Sequence, residues 1–354
     1  DHAGNYTRLE ETYAYLRDVW RLDFASASEH DDPDYDDEAQ AAARAVTDSF
    51  DEPGRFTTFH AFEWTRKHTH AGGGHRIVLY GASQGPVFLS MNELTDTQQE
   101  LFDAIRGTGL PALVIPHVMA PEPGHAIWET VANDLQRVGE IYSLQPDAQE
   151  DIYAYEGSVH DDWAFRRAWV TGHHVGVIGS SDNHRGTPGY QNWPALTGHD
   201  AGGYAAVFAT ENTRAGIFQG MHARRAYATT GGRTLLDFSV DGHPLGAAFS
   251  REMGSVRLEG EVAAPSALEE VVVLRSTDGT RAFEPAELRS ILDILASLSR
   301  YSDGIQRNGG DFSAYLDARK EGQLPDYMAV SYTHLRAHET GRHIAYAVFC
   351  LKRG

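Results

Sequence analysis

Eighteen histidines stand against a single cysteine, Cys350, in this chain of 354 residues, and fourteen of the histidines precede residue 230. With thiolates all but absent, a metal site would have to be built from His, Asp and Glu, a donor set that suits zinc, manganese or iron and hydrolytic or redox chemistry. The bland alternative is a surface merely rich in histidine, and position decides between the two. His30 follows the run LDFASASE, Glu63 closes FTTFHAF, His117 closes ALVIP, and Asp182 and His184 follow VGVIGSS. His75 instead stands just before RIVLY, behind a run of glycines. Each of these runs reads as a strand, so six potential ligands sit at strand ends. A single histidine at a strand end is more often structural than ligating; repetition at several ends argues against coincidence.

The residue types also suit the chemistry. Neutral imidazoles and carboxylates bind borderline divalent cations at roughly 2.0–2.2 Å. Asp182 and His184 are two apart at a strand exit, so a local bend can turn both toward one cluster. Glu63 has two carboxylate oxygens and can bridge two metals. Histidine clusters with bridging carboxylates and no thiolates are the pattern of multinuclear hydrolases, whose metals acidify a bound water and clamp the departing oxygen. Ser180 and Ser181 lack the Gly-x-Ser-x-Gly elbow of a serine nucleophile, and residues 72–74 are not followed by the Gly-Lys-Ser/Thr of a phosphate loop. His60 shares a strand face with Phe62, opposite Glu63, and reads as structural. His68 and His70 suit a rim, and His125, His160, His173, His174, His199 and His222 read as surface or structural residues.

The elements that must position these residues alternate. Thr7 and Glu10 form a capping box before Leu9, Tyr13, Leu16 and Trp20 on one helical face. Strands are expected at 22–27, 56–64, 76–82, 112–117, 139–143 and 175–180. Helices are expected at 38–49, from a Thr95/Gln98 cap to about 106, and at about 127–137 and 161–171. Near-continuous apolar strands alternating with helices signal a parallel sheet or barrel covered by helices, with strand ends converging on one mouth. After residue 231 the pattern changes to β-branched or alternating runs at 235–241, 256–263 and 270–275, which reads as part of an antiparallel sandwich.

Composition narrows the partners. Apolar residues at 41% and charged residues at 23% argue against disorder, and a net charge of −20 repels phosphate backbones and anionic lipid. No nucleic-acid or membrane partner is therefore expected. One cysteine excludes a disulfide framework within the chain. No signal peptide is visible, and the chain opens on Asp1 without a methionine, so its start is expected to lie upstream and its location stays open.

Taken together, these segments resemble a known group. LDFASASEHDD resembles the strand motif ending in "TDH" of the PHP superfamily, the polymerase-and-histidinol-phosphatase hydrolases. FHAFEWT with GGGHRIVLY, then VIPH, then IGSSDNHRGTPG are similar to its later motifs in order and spacing, and RRAYATTG completes a pattern closest to a bacterial branch of unknown function. The resemblance covers roughly residues 1–284. It implies an α/β fold, a distorted (β/α)7 barrel over 1–231, followed by a partial β-sandwich at 232–284. It implies up to three divalent metals. Glu63 would bridge two, His75 and His117 would complete the second site, Asp182 would serve the first, and His30 and His184 the third, with His2 a further third-site candidate. The family's opening His-x-His is absent, and truncation just before Asp1 would leave the first metal with Glu63 and Asp182 alone.

The implied activity is phosphoester hydrolysis by a metal-bound hydroxide on a small-molecule or sugar-type ester, with Arg76 and Arg185 beside ligands as phosphate contacts. An amide, lactone or sulfate-ester hydrolase is the alternative enzyme. A catalytically impaired barrel serving as scaffold for a carbohydrate- or partner-binding β module is the alternative of another class. Residues 285–354 form a third region. It opens on an amphipathic helix at 286–300 and carries a stretch at 309–326 with a weak likeness to type II topoisomerase B subunits. It ends in VSYTHLRAHET, which looks like a translated sequencing adapter. A non-native tail of this kind is expected to pack little against the rest.

Overall fold

The computed structural model describes residues 6–32, 35–66, 74–117, 128–143, 165–184, 202–251, 257–264, 274–275, 284–285, 345–346 and 350–353. Leu9, Tyr13 and Leu16 lie buried on one face of α1 (Tyr6–Asp18), as their spacing predicts. Thr7 lies inside that helix and not at its cap. They pack against Ala43 of α2 (Asp37–Ser49) and Phe56. Asp36 caps α2, its carboxylate accepting from the Ala39 amide at 2.9 Å. Helix α3 (Gln98–Gly107) is capped by Thr97 and Glu100 in a reciprocal box. Thr95, the expected cap, instead donates its hydroxyl to Leu89 O.

The strands that matter are β1 (Phe24–His30), β2 (Thr57–Arg66), β3 (Gly74–Tyr80) and β4 (Ala112–Pro116), which form one sheet in that order. Next come the parallel pair β5 (Val138–Tyr142) and β6 (Gly176–Gly179), and the antiparallel pair β7 (Tyr204–Val207) and β8 (Ala226–Thr229). Strand β4 lies beside β5, and β6 lies against β7 and β8. The fold is thus α/β, but among the described residues the expected parallel sheet or distorted (β/α)7 barrel is not shown. Strand β3 is antiparallel to both neighbours, and no sheet among the described residues closes on itself. The physical reason is the short connection from Arg66 to Gly74. A parallel return needs a crossover of about a dozen residues or more, whereas an antiparallel neighbour needs only a hairpin.

Alternation along these strands sorts two faces. Phe59 and Ala61, Ile77 and Leu79, and Leu113 and Ile115 join one cluster, to which Phe24, Val138, Ile178, Ala205, Val207 and Ala226 also contribute. Every strand from β1 to β8 therefore feeds one inner core, sealed by Ile217, Phe218 and Met221 of α5 (Arg214–His222). The opposite face of β2 to β4, with Phe62, Trp64, Val78, Tyr80 and Val114, packs on Leu101, Phe102 and Ile105 of α3.

The helix expected at about 127–137 is absent over its described part, 128–137. Trp128, Ala132 and Leu135 are buried at spacings that imitate a helix. The backbone, however, is drawn into tertiary bonds, with Leu135 O accepting from Val114 N at 3.0 Å and Arg137 O from Gly176 N at 2.9 Å. The expected 161–171 helix is described as α4 (Phe165–Val170).

Beyond residue 231, β9 (Leu235–Val240) pairs antiparallel with β10 (His243–Pro244) and β12 (Leu258–Ala263). Leu236, Leu245 and Val262 of this part pack on Tyr227, Ala206 and Phe208 of the preceding one. Of the final 70 residues, the expected helix at 286–300, the stretch at 309–326 and the VSYTHLRAHET segment lie outside the described residues. Two short strands near the end are described: β13 (Ala345–Tyr346) pairs with β8, and β14 (Cys350–Arg353) with β11 (Ala248–Arg251). Among the described residues no helix is long and apolar enough to cross a membrane.

Candidate metal centre

Strands β1, β2 and β4 run the same way, and antiparallel β3 begins where they end. His30, Glu63, His75 and His117 thus come from three strand exits and one strand entrance at the same edge of the sheet. Each has the parity of the inner-core residues on its own strand, so all four project from the face that forms the common core. Register makes this concrete: His30 stands opposite Glu63, and the His117 amide donates to His75 O at 3.2 Å.

Strand β6 brings Asp182 and His184 to the same place. The expected bend is a left-handed backbone at Asp182 (φ 47°), a conformation Asp tolerates better than most side chains. Close approach is needed here: a Cβ on Gly203 would sit 2.7 Å from Ser180 O.

The six side chains form one connected cluster. Glu63 Oε1 lies 2.7 Å from His75 Nδ1 and 3.6 Å from His30 Nδ1. His117 Nε2 lies 3.9 Å from Glu63 Oε2 and 3.6 Å from Asp182 Oδ2. His184 Nδ1 is 3.8 Å from Asp182 Oδ1, and its ring centroid is 6.0 Å from that of His30. Glu63, His117 and Asp182 are buried, with one potential ligand atom from each all within 4.8 Å of one another. His30 and His184 are about one-third exposed and mark the solvent side.

Two expected residues, His2 and Arg185, lie outside the described residues. Arg76 is described, and its side chain lies on the face of the sheet opposite the six clustered residues. Its side chain is fully buried, has the parity of Val78 and Tyr80 on the far face of β3, and donates from Nη1 to Gly74 O at 2.9 Å. Burial pulls this guanidinium down to about 9. The expectation rested on its place beside His75, but neighbours along a strand point to opposite faces.

The sequence reading missed Glu140. This residue of β5 is buried and accepts from His117 Nδ1 at 2.8 Å through Oε1 and from the Ser180 hydroxyl at 2.6 Å through Oε2. The available signal was a lone carboxylate inside a short buried strand, VGEIY, where an unpaired charge would be costly.

Three buried carboxylates around one imidazole dominate the electrostatics. Burial alone would lower His117, but Glu140, Asp182 and Glu63 outweigh it and push the ring up to about 10. Burial, with the charges of Glu63 and Glu140 added, pushes Asp182 up to about 7. Glu140 ends below its ordinary value, because His117 and the Ser180 and Ser143 hydroxyls overcome its burial. Without a metal, the cluster holds its negative charge only by binding protons. A divalent cation fits this demand, and imidazole nitrogens with carboxylate oxygens are donors that zinc, manganese and iron share.

A family model described as "Protein of unknown function (DUF3604)" matches residues 11–153 and 190–242, more than half of the chain. The chain belongs to that family. The DUF3604 match includes His30, Glu63, His75 and His117, while Asp182 and His184 fall between its two stretches. Among solved structures, the chain is similar to a two-domain protein containing a predicted PHP-like metal-dependent phosphoesterase from Bacteroides vulgatus ATCC 8482. Identity is 15%, coverage is 77% of this chain and 74% of that one, and the TM-score is 0.42. The search of curated proteins gives no match.

Proposed function

We propose that this protein is a divalent-metal-dependent hydrolase acting on small-molecule phosphoric esters. The observation that carries the reading is the buried meeting of Glu63, His117 and Asp182, ringed by His75, His30 and His184. In this reading Glu63 spans two cation positions. His75 and His117 complete one, Asp182 serves the other, and His30 with His184 serve a third on the solvent side. A bound divalent cation supplies acidified water and neutralises the oxygens of the ester.

The chain's own residues do the rest. Glu63 and Asp182 provide the buried negative charge that draws the cation in. Hydrogen bonds from Nδ1 turn two of the solvent-side rings: His30 is held by Thr65 Oγ1 at 2.6 Å and His184 by Asp182 O at 2.9 Å. Asp31, next to His30, accepts from the amides of Thr65 and Ser90, locking the exits of β1 and β2 to the loop ahead of α3. Arg185, adjacent to His184, is the proposed contact for the substrate's anion.

The phosphoester preference rests on the likeness of the SSDNH and EWT segments to PHP motifs. The test is metal content by mass spectrometry after loading with manganese or zinc, followed by turnover of a phosphoester and sulfoester panel. Two or three ions per chain and phosphoester turnover are expected. A chain that holds one ion or none and turns over no ester is a scaffold, and the proposal fails.

A further inference from the structure

We infer that Glu140 is a positioning residue for the metal centre: it fixes the His117 ring with Nε2 aimed at Glu63 and Asp182, and it raises the ligand strength of that nitrogen. This rests on the metal-dependent reading above, which itself assigns Glu140 nothing.

The geometry that carries it is a clamp with both ends occupied. Glu140 Oε1 accepts a hydrogen bond from His117 Nδ1 at 2.8 Å, and Oε2 accepts one from the Ser180 hydroxyl at 2.6 Å. The carboxylate cannot turn to one partner without dropping the other. Ser180 is fixed in turn, its amide donating to Tyr142 O at 2.9 Å within the β5–β6 pair. Gly139, the preceding residue, admits Phe165 so closely that a Cβ there would lie 2.9 Å from its ring. Strand β5 is thus pressed between the aromatic cluster on one side and the cluster of ligands on the other.

The consequence for His117 is specific. A neutral imidazole has one N–H and one lone pair, and a bond from Nδ1–H to a carboxylate places the lone pair on Nε2. That nitrogen is the one facing Glu63 Oε2 and Asp182 Oδ2. Partners of this kind orient ligating histidines and raise their basicity, and their loss typically costs about 10–100-fold in metal affinity.

The test titrates the whole chain with zinc or manganese in wild type, Glu140→Gln, Ser180→Ala and Glu63→Gln, with thermal unfolding to confirm folding. Glu140→Gln keeps the volume and one acceptor oxygen but removes the charge. The expected result is an unchanged number of bound ions with affinity roughly tenfold lower. Histidine-selective nitrogen NMR of the zinc-loaded protein should show the His117 Nδ1–H resonance moved from its carboxylate-bonded position, a change a merely structural role would not produce. Ser180→Ala, which frees one end of the clamp, should weaken binding severalfold, and it decides the matter if Glu140→Gln does not fold. Wild-type affinity and an unchanged His117 signal in the folded variants would overturn the inference while leaving the metal site standing. If wild type binds no more metal than Glu63→Gln, the metal reading fails and the inference fails with it.

Discussion

His117 and His173 are both almost wholly buried, 3% and 1% exposed, and the protein treats them in opposite ways. His117 sits among three carboxylates and is driven up to about 10. His173 packs on Trp128, 5.1 Å between ring centroids, in the aromatic region that also holds Phe165, and burial drives it down to about 4. The comparison shows that burial does not itself set a histidine's charge. One region surrounds the ring with negative charge and asks for a cation; the other surrounds it with hydrocarbon and asks for a neutral ring.

The largest effect should come from removing the carboxylate that touches most of the first region. Glu63→Gln is expected to release more than one equivalent of metal, measured by mass spectrometry. It should cut ester turnover by more than the roughly 10–100-fold typical of an outer partner. Full metal retention with turnover lost would instead make Glu63 a proton acceptor and not a bridge.

A second test uses the protons that a metal must displace. With Asp182 pushed up to about 7, metal binding below pH 7 must release at least that proton. Affinity, read by calorimetry, should weaken about tenfold per pH unit per proton displaced as pH falls below 7. A flat profile between pH 5 and 7 would contradict the charge state described for the cluster.

The aromatic region predicts an acid effect on stability. Because the folded-state value for His173 lies below its ordinary 6.5, the unfolded chain takes up the proton first as pH falls. The stabilisation is complete above about 6.5 and is lost as pH drops toward 4, by an amount on the order of 3 kcal/mol. Urea unfolding between pH 7 and 4 measures it. His173→Phe should remove that part of the slope, and an unaltered slope would refute the assignment.

The smallest effect concerns an intermediate case. His60 is buried and lowered by burial, yet Asp48 stands 3.3 Å away and opposes the shift. Asp48→Asn should move His60 further toward the behaviour of His173, by less than about one pH unit because Asp48 is half-exposed and screened. An NMR titration of the ring reads this directly, and an upward shift would break the ordering of the three histidines.

Much of the scaffold was legible in local pattern. The apolar runs that become β2, β4, β5 and β6 were placed within a few residues, and so was the spacing that buries Leu9, Tyr13 and Leu16. Competing local signals misled in two places. Thr95 and Thr97 are both followed three residues later by Gln or Glu, and only the folded structure, in which the Thr95 hydroxyl donates to Leu89 O and Trp64 Nε1 to Thr95 O, shows which one is used elsewhere. Trp128, Ala132 and Leu135 have helical spacing, but Leu135 O is bonded to Val114 of β4 and Arg137 O to Gly176 of β6.

The sequence by itself determined which residues can bind a cation, and that His30, Glu63, His117, Asp182 and His184 close apolar strands. Alternation and donor chemistry are local properties. The tertiary structure decided that β3 runs backwards, so that His75 joins the others from a strand entrance. It decided that Arg76 points away, and that Glu140 reaches His117 across 23 residues of chain. Those are matters of strand direction, register and cross-sheet distance. No local pattern encodes them, because they are fixed only when separate strands share one core.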